Sequence, residues 1–595
     1  MSFLQSKRFV DYTLLITKIA IIGTMAVFLL GFYFPFFEYP NDSKVYGYLT
    51  LQIAEGEYEY TNELLQKTGY WEFVPSALVK THDNSAIPNI LPLFPVIGAF
   101  IFKIFGHSGL FYLNPILTVL FLVISERLAT KYFNKYVGLL VLIFLSTNEM
   151  TFWVGRGLLT SMIFSIFFIV GIHFLLKFLK TKSELQILLS SICFTLAVFI
   201  RPNGIIFIPV EIFVVVSYFI FERLIKKNTI SKLSWKKISK ITTYMIGPGL
   251  VFVIFMLLFN VHYFGEPTTT MYNVPGAPRH FISELNVDAF SINTERVEKY
   301  SGHFLPYPIN RVAAALNYGE TSASTEFDGF ITSLKEISLL SHIGLSTFVI
   351  IGLALFISWR YKRQRLDCSV YAIFIMSLIL FYSIQLIVVG RQGSPRDMLP
   401  LYPIFYALLG YVIVNILKKS TFGFPQKKSA GIKSVKIILI IGLVIFIPVS
   451  FAFADYSQII KKNGFNDLRD PIKLASDYYD TSYTISEKDV VVTFFEFDRV
   501  IDHGSIPFTP MGWQNKEFNS QNPIYVEMIN KLDGILNEDE RNVFVFKNPH
   551  LEHEKKFHNY LDSTGKYIFS DYSQHFCQLE LKNHQKDVSD NVCLN

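Results

Sequence analysis

Residues 88–105, PNILPLFPVIGAFIFKIF, decide how the rest of the chain is read. The run is apolar enough to count as a membrane crossing. Pro88, Pro92 and Pro95 interrupt a helix early, and Lys103 and His107 give it polar ends. If the run crosses, the basic clusters Arg127/Lys131/Lys135, Lys177/Lys180/Lys182 and Arg223/Lys226/Lys227 all move to the external side, against the positive-inside rule. If it lies in the external interface, or dips in and returns, those clusters stay cytoplasmic, together with Arg360/Lys362/Arg363 and Lys418/Lys419. Parity therefore puts 88–105 at the external interface.

Working outward, Lys7 and Arg8 precede the first long apolar run, Leu14 to Phe34, which predicts a cytoplasmic N-terminus and an uncleaved anchor. Further runs cover 109–125, 136–153, 157–180, 185–201, 203–221, 241–262, 338–359, 369–390, 398–417 and 436–455. The expectation is an all-α polytopic membrane domain of about 11 spans. External segments are then 35–108 (loop one), 147–160, the turn Arg201 to Gly204, 263–337 (loop four), 391–397 and everything after 455. Composition agrees. The chain has 595 residues, 51% of them apolar, with 58 Phe and 32 Tyr, where a soluble chain of this length carries more polar surface. A net charge of +6, spread in short clusters between apolar runs, argues against nucleic-acid binding. No inverted repeat of the transporter kind is visible.

After 455 the chain changes character. KDVVVTFFEF (488–497), RNVFVFKNP (541–549), KYIFS (566–570) and CQLEL (577–581) read as short strands, with helix-compatible stretches such as 524–538 between them. This predicts a small extracytoplasmic α/β domain over 456–595, beside a membrane domain over 1–455. His503 and His550 have no partner at metal spacing and read as surface residues. The four cysteines form no metal pattern. Cys577 and Cys593 pair if the C-terminus faces an oxidising compartment, and are otherwise free thiols.

Charged residues gather at the external ends of the spans. Asp42 follows the first span, in PFFEYPNDSKVYGYLTLQIAEGEY (35–58), with Tyr46 behind it. Glu149 and Arg156 fall in the second external segment, Arg201 ends a span in LAVFIRPNG, and Arg396 precedes another in GSPRDMLPLYP. Each has a plain structural account: an acidic turn, a loop acid, an arginine snorkelling to a headgroup. Two carboxylates and several arginines at one membrane face also suit an anionic lipid headgroup, with arginine forks on a phosphate and a carboxylate left to take a proton.

These residues carry a resemblance. The chain resembles the GT-C superfamily of integral membrane glycosyltransferases, nearest the protein O-mannosyltransferase and lipid A aminoarabinose transferase group. The matches are Asp42, Tyr46, Ala54, Gly56 and Tyr58; then Pro88, Pro92, Leu93, Phe94, Phe105 and Gly106; then Arg201, Pro202 and Gly204; then Asn260, Phe264, Gly265 and Pro267; and last Pro395, Arg396, Leu399, Pro400 and Pro403. Three positions depart from the pattern. Ser43 stands where many relatives have a second acid, Asp397 where a tyrosine is common, and Thr160-Ser161 where an acid is frequent, with Glu149 as the candidate substitute.

The resemblance implies transfer of a sugar from a polyprenyl-phosphate donor to an acceptor hydroxyl of a protein, glycan or lipid on the external face. It implies catalytic roles for Asp42 and Glu149, and substrate binding by Arg396, Arg201, Tyr46 and Arg156. No metal ligand is predicted, a divalent cation stays open, and the alternatives are a transporter or a noncatalytic scaffold.

Overall fold

A computed structural model of the protein describes residues 2–31, 41–56, 58–59, 78–83, 85–88, 90–225, 235–267, 343–361, 364–389, 399–420, 490–492, 506–508, 532–534, 536–537, 542–546, 559, 561–571 and 576–581. The predicted span 436–455 lies outside them. The chain divides into two compact units: Met1–Glu38, Leu91–Met256 and Glu284–Lys473 form one, and Tyr39–Ile90, Leu257–Ser283 and Leu474–Asn595 the other.

The first unit is helical, as segments in a bilayer must be when their backbone groups can pair only internally. Its helices are α1 (Ser2–Gly31), α3 (Leu93–Tyr132), α4 (Lys135–Ser146), α5 (Glu149–Arg156), α6 (Ser161–Thr181), α7 (Glu184–Ile200), α8 (Phe207–Ile225), most of α9 (Trp235–Phe264), α10 (Ile343–Arg360), α11 (Arg365–Val389) and α12 (Leu401–Ser420); α2 (Asn41–Glu55) belongs to the second unit. Four described stretches are long and apolar enough to cross a membrane: Ser108–Tyr132, Ser161–Thr181, Pro202–Ile220 and Ser239–Phe264.

The core of this unit is aromatic. The Phe207 ring lies 4.5 Å from that of Phe168 and 5.5 Å from that of Phe164, and the Phe374 ring lies 5.7 Å from that of Phe194. Glycines bring the helices close. A Cβ on Gly138 would stand 2.0 Å from Thr130 Oγ1, and one on Gly171 2.7 Å from the Phe194 ring. Two ion pairs tie helices of the bundle together, which lowers the cost of charge there: Lys18 with Glu126, and Lys180 with Asp367 at 2.6 Å.

Two helix boundaries bear on the sequence reading: the first agrees with the separation of 88–105 from 109–125, and the second departs from the single span 136–153. Leu93–Gly106 is broken from Ser108–Tyr132 at Gly106, whose φ of 63° and ψ of −158° are open essentially to glycine alone. At about 1.5 Å per residue the first piece is about 21 Å long, short of a hydrocarbon core of about 30 Å. The predicted span 136–153 is two helices. α4 stops at Ser146, and Thr147-Asn148 intervene before α5. The cause is local: Asn148 Oδ1 accepts from the Thr151 backbone N–H at 3.0 Å, so its side chain starts a new helix instead of continuing the old one.

In the second unit a five-stranded sheet runs in the order β4-β3-β5-β7-β6. Its strands are β3 (Val490–Val492), β4 (Ile506–Phe508), β5 (Val543–Phe546), β6 (Tyr567–Asp571) and β7 (Phe576–Leu581). β3 pairs in parallel with both neighbours, and β7 antiparallel with β5 and β6. Val543, Phe544 and Val545 are all buried, so β5 is covered on both faces, whereas β7 alternates buried Cys577 and Leu579 with more exposed neighbours. Each expected run contains a strand. β4 was not expected; its Pro507 suits an edge, where a missing N–H breaks no ladder. Cys577 is disulfide-bonded, while Cys193 and Cys368 are free. A hairpin of β1 (Leu78–Lys80) and β2 (Ala86–Pro88), the end of α9 and short helical pieces at 532–534, 536–537 and 561–563 also belong to this unit.

Candidate functional site

In the first unit, polar side chains collect at the end of the bundle where α6 begins and α7 finishes. Asn114, Asn148, Thr151, Thr160 and Ser161 are all buried there. The turn after α7 is built by the Arg-Pro-x-Gly sequence. Arg201 caps α7 in extended conformation, Pro202 opens a short 3-10 helix over Pro202–Ile206, and Gly204 folds back onto α7. A Cβ on Gly204 would sit 2.9 Å from the Val198 backbone nitrogen, so only glycine allows that approach. The half-buried Arg201 donates from Nη1 to Ser161 Oγ at 2.6 Å, at the first turn of α6.

Asn148 makes the second junction. Its Nδ2 donates to the Tyr406 hydroxyl at 3.0 Å, joining the α4–α5 corner to α12. Tyr406 stacks on Tyr402 and packs against Phe144. Leu399 and Pro400, the last residues of the Pro-Arg-x-x-Leu-Pro sequence before α12, are buried. α5 fits flush against α3 because position 155 is glycine; a Cβ there would stand 2.6 Å from Thr118 Oγ1 and 3.1 Å from Leu29 Cδ2.

The second unit contains loop one. Asp42 is the second residue of α2, where the helix dipole favours an acid. Tyr46 is half-buried one turn on, and Leu49, Thr50 and Ala54 are buried. Gly56, with φ of 98°, ends the helix, and Tyr58 packs on Phe259 and Tyr263 at 6.0 and 5.5 Å. The Asn-x-x-x-Phe-Gly-x-Pro sequence closes α9: Asn260 Nδ2 donates to the Pro267 carbonyl at 3.0 Å, and Gly265 turns with φ of 75°. The hairpin loop is tied to the same helix end by His82 N–H to Tyr263 O at 2.9 Å. In that loop Thr81 and Ser85 donate to Asp83, and the Thr81 hydroxyl holds the Asp83 carboxyl below its ordinary value.

Of the sequence-predicted residues, Arg201 and Tyr46 are placed with their side chains. Glu149 and Arg156 are the first and last residues of α5, but their side chains, like that of Asp42, are outside the described residues. Arg396 lies wholly outside them. Among the described residues no three His, Cys, Asp or Glu gather to hold a metal ion. Tyr406 escaped the sequence reading, and Ser161 entered it only as a departure from the resemblance. Asn114 did too, although an amide inside the apolar run 109–125 is itself a signal.

No protein-family model matches the chain, and no curated protein does. Among solved structures, the archaeal oligosaccharyltransferase AglB from Archaeoglobus fulgidus, in complex with an inhibitory peptide and a dolichol-phosphate, is similar. It is 14% identical with a TM-score of 0.52, over 98% of this chain and 75% of its own. The apo form of that oligosaccharyltransferase is 12% identical with a TM-score of 0.52, over 98% and 75%. ArnT from Cupriavidus metallidurans bound to undecaprenyl phosphate is 10% identical with a TM-score of 0.48, over 95% and 97%. At the identity of the oligosaccharyltransferase the likeness is one of fold: the chain has the fold of that archaeal enzyme.

Proposed function

We propose, on the premise of that fold, that the protein is a membrane glycosyltransferase. It moves a sugar from a polyprenyl-phosphate donor to an acceptor hydroxyl on the external face by one inverting displacement. The observation that carries the reading is Arg201, fixed by Ser161 at a helix end of the fold shared with the archaeal oligosaccharyltransferase. An arginine so held presents a planar fork to a phosphate at the bilayer edge. The dolichol-phosphate and the inhibitory peptide in complex with the archaeal oligosaccharyltransferase fit a lipid-phosphate donor and a separate acceptor.

In this reading Asp42 takes the proton of the acceptor hydroxyl, with Glu149 second in line. The acceptor oxygen forms a bond to the anomeric carbon while the bond from that carbon to the phosphate oxygen breaks. The electron pair leaves with polyprenyl phosphate, whose charge is met by Arg201 and Arg396, with Arg156 and Tyr46 lining the donor. No step is routed through a metal ion. The lipid tail explains the membrane setting, since withdrawing it into water costs about 0.8 kcal/mol per CH₂.

We place the N-terminus in the cytoplasm, the membrane domain over 1–455, and an external α/β domain over 456–595. The bonded Cys577 supports an oxidising side for that domain. The test is transfer from labelled polyprenyl-phosphate sugars in isolated membranes, wild type against Asp42→Asn at matched expression. Label reaching an acceptor in wild type and not in the variant is expected. Absence of transfer from any donor overturns the reading, and equal transfer by both moves the base to Glu149.

A further inference from the structure

Asn114 is 1% exposed in the middle of an apolar run, beside Pro115. The two N–H of its Nδ2 face three backbone carbonyls, Leu159 at 2.9 Å and Gly157, with Val154 sharing one of them at 3.4 Å. The orientation of the amide follows from its surroundings, because three carbonyls on one side demand the N–H₂ end. Its Oδ1 is buried without a partner among the described residues. One turn along, Thr118 donates to the Asn114 carbonyl at 2.8 Å and lies under Gly155. α3 thus holds the last turn of α5 and the whole connection 157–160. That connection ends at Ser161, the acceptor of Arg201.

A buried polar side chain that leaves one of its own atoms unpaired is retained where its other contacts matter. Carbonyls of a connecting segment normally face water. Here those of Gly157 and Leu159 are turned inward onto one amide, immediately before Ser161.

We propose that Asn114 is a positioning residue for the phosphate-binding arginine. By clamping the carbonyls of residues 154, 157 and 159 it fixes Ser161, and through it the Arg201 guanidinium. The inference rests on the reading of Arg201 given above. Asn114 acts in this proposal only through the backbone carbonyls it holds.

The test compares wild type with Asn114→Asp in the full chain, in lipid nanodiscs. Aspartate has the same shape and neither N–H. The first readout is hydrogen exchange, which needs no activity. Amides of 157–161 are expected to exchange about tenfold faster, the loss of a buried hydrogen bond, while α6 beyond Phe164 is unchanged. The second readout is binding of labelled polyprenyl phosphate. It is expected to weaken about tenfold in Asn114→Asp, but less than about twofold further when Arg201→Ala is already present. Equal loosening throughout α6, or additive losses in the double variant, overturns the proposal. If wild type binds no polyprenyl phosphate, the functional reading fails while the exchange result still decides the clamp. Should Asn114→Asp not fold, Asn114→Ala is read in the same way, and failure of both to fold also overturns it in favour of a purely structural role.

Discussion

Arg201 Nη1 and Ser161 Oγ are 2.6 Å apart, although one residue caps α7, the other opens α6, and they are far apart in sequence. The bond fixes one arm of the guanidinium and sets the plane of the rest. Replacing Arg201 by lysine keeps the charge and loses the plane. For Arg201→Lys the donor KM is expected to rise about 10- to 100-fold, the range for hydrogen bonds to charged groups. Ser161→Ala should show a smaller rise in the same direction. Steady-state transfer against donor concentration measures both, and an unchanged KM in Arg201→Lys would remove the arginine from the donor site.

The 3-10 turn after α7 gives a prediction about packing. Gly204 abuts the backbone of Ala197 and Val198, at 3.0 and 2.9 Å for an added Cβ, and backbone cannot rotate away. Gly204→Ala is expected to destabilise the protein by about 1–3 kcal/mol. A lower melting temperature, with donor binding weakened in step, is the expected result.

Gly106 makes a different case. An added Cβ meets nothing within 4 Å, so the only cost of Gly106→Ala is its backbone conformation. That cost is about 1–3 kcal/mol. Gly23, also with open space but inside α1, is the control: Gly23→Ala should be neutral or stabilising, by up to about 1 kcal/mol. Equal melting temperatures for the two alanine variants would show that the break at Gly106 is not strained for other residues.

Asn148 and Tyr406 lend themselves to a double-mutant cycle. Asn148→Ala loses a helix cap, about 0.5–2 kcal/mol, and leaves the Tyr406 hydroxyl buried without its amide. Tyr406→Phe leaves the amide of Asn148 short of a partner instead. The two losses are expected to fall short of additivity by about 1 kcal/mol. Strictly additive melting shifts would mean that the 3.0 Å contact carries no coupling.

The hairpin loop sets a pH dependence. Asp83 has a carboxyl lowered in the folded state, chiefly by the Thr81 hydroxyl. Its contribution is therefore present above the unfolded value of 3.8 and disappears as pH falls through the lower folded one. Wild type should lose thermal stability below about pH 4 more steeply than Asp83→Asn. Parallel curves for the two proteins would contradict this.

Much of the bundle was legible because a lipid-facing helix must be apolar over its whole length, and that leaves a long, simple mark. The break at Thr147-Asn148 was visible in the letters Ser146-Thr147-Asn148-Glu149 but was averaged away by the apolar run before it. β4 is a three-residue strand with proline at its centre, and pairing, not propensity, makes it a strand. The turn that begins at Arg201 was legible from Pro202 and Gly204. Ser161 was not, because its role comes from how α6 lies against α7. Ala54, Gly56 and Tyr58 read as part of a functional sequence; the structure gives them structural work in ending α2 and packing on α9.

α4 is 12 residues long and buried from Val137 to Ser146. At about 18 Å it falls well short of a bilayer core. A helix wrapped on all sides by protein, however, has no annulus of lipid to match, so hydrophobic mismatch places no demand on it. Its length is free to act as a spacer. Adding or removing a turn of α4 would raise or sink the Asn148 corner by about 5.4 Å, at no cost in lipid deformation. Depth at this end of the bundle is thus set by protein architecture and is independent of membrane thickness.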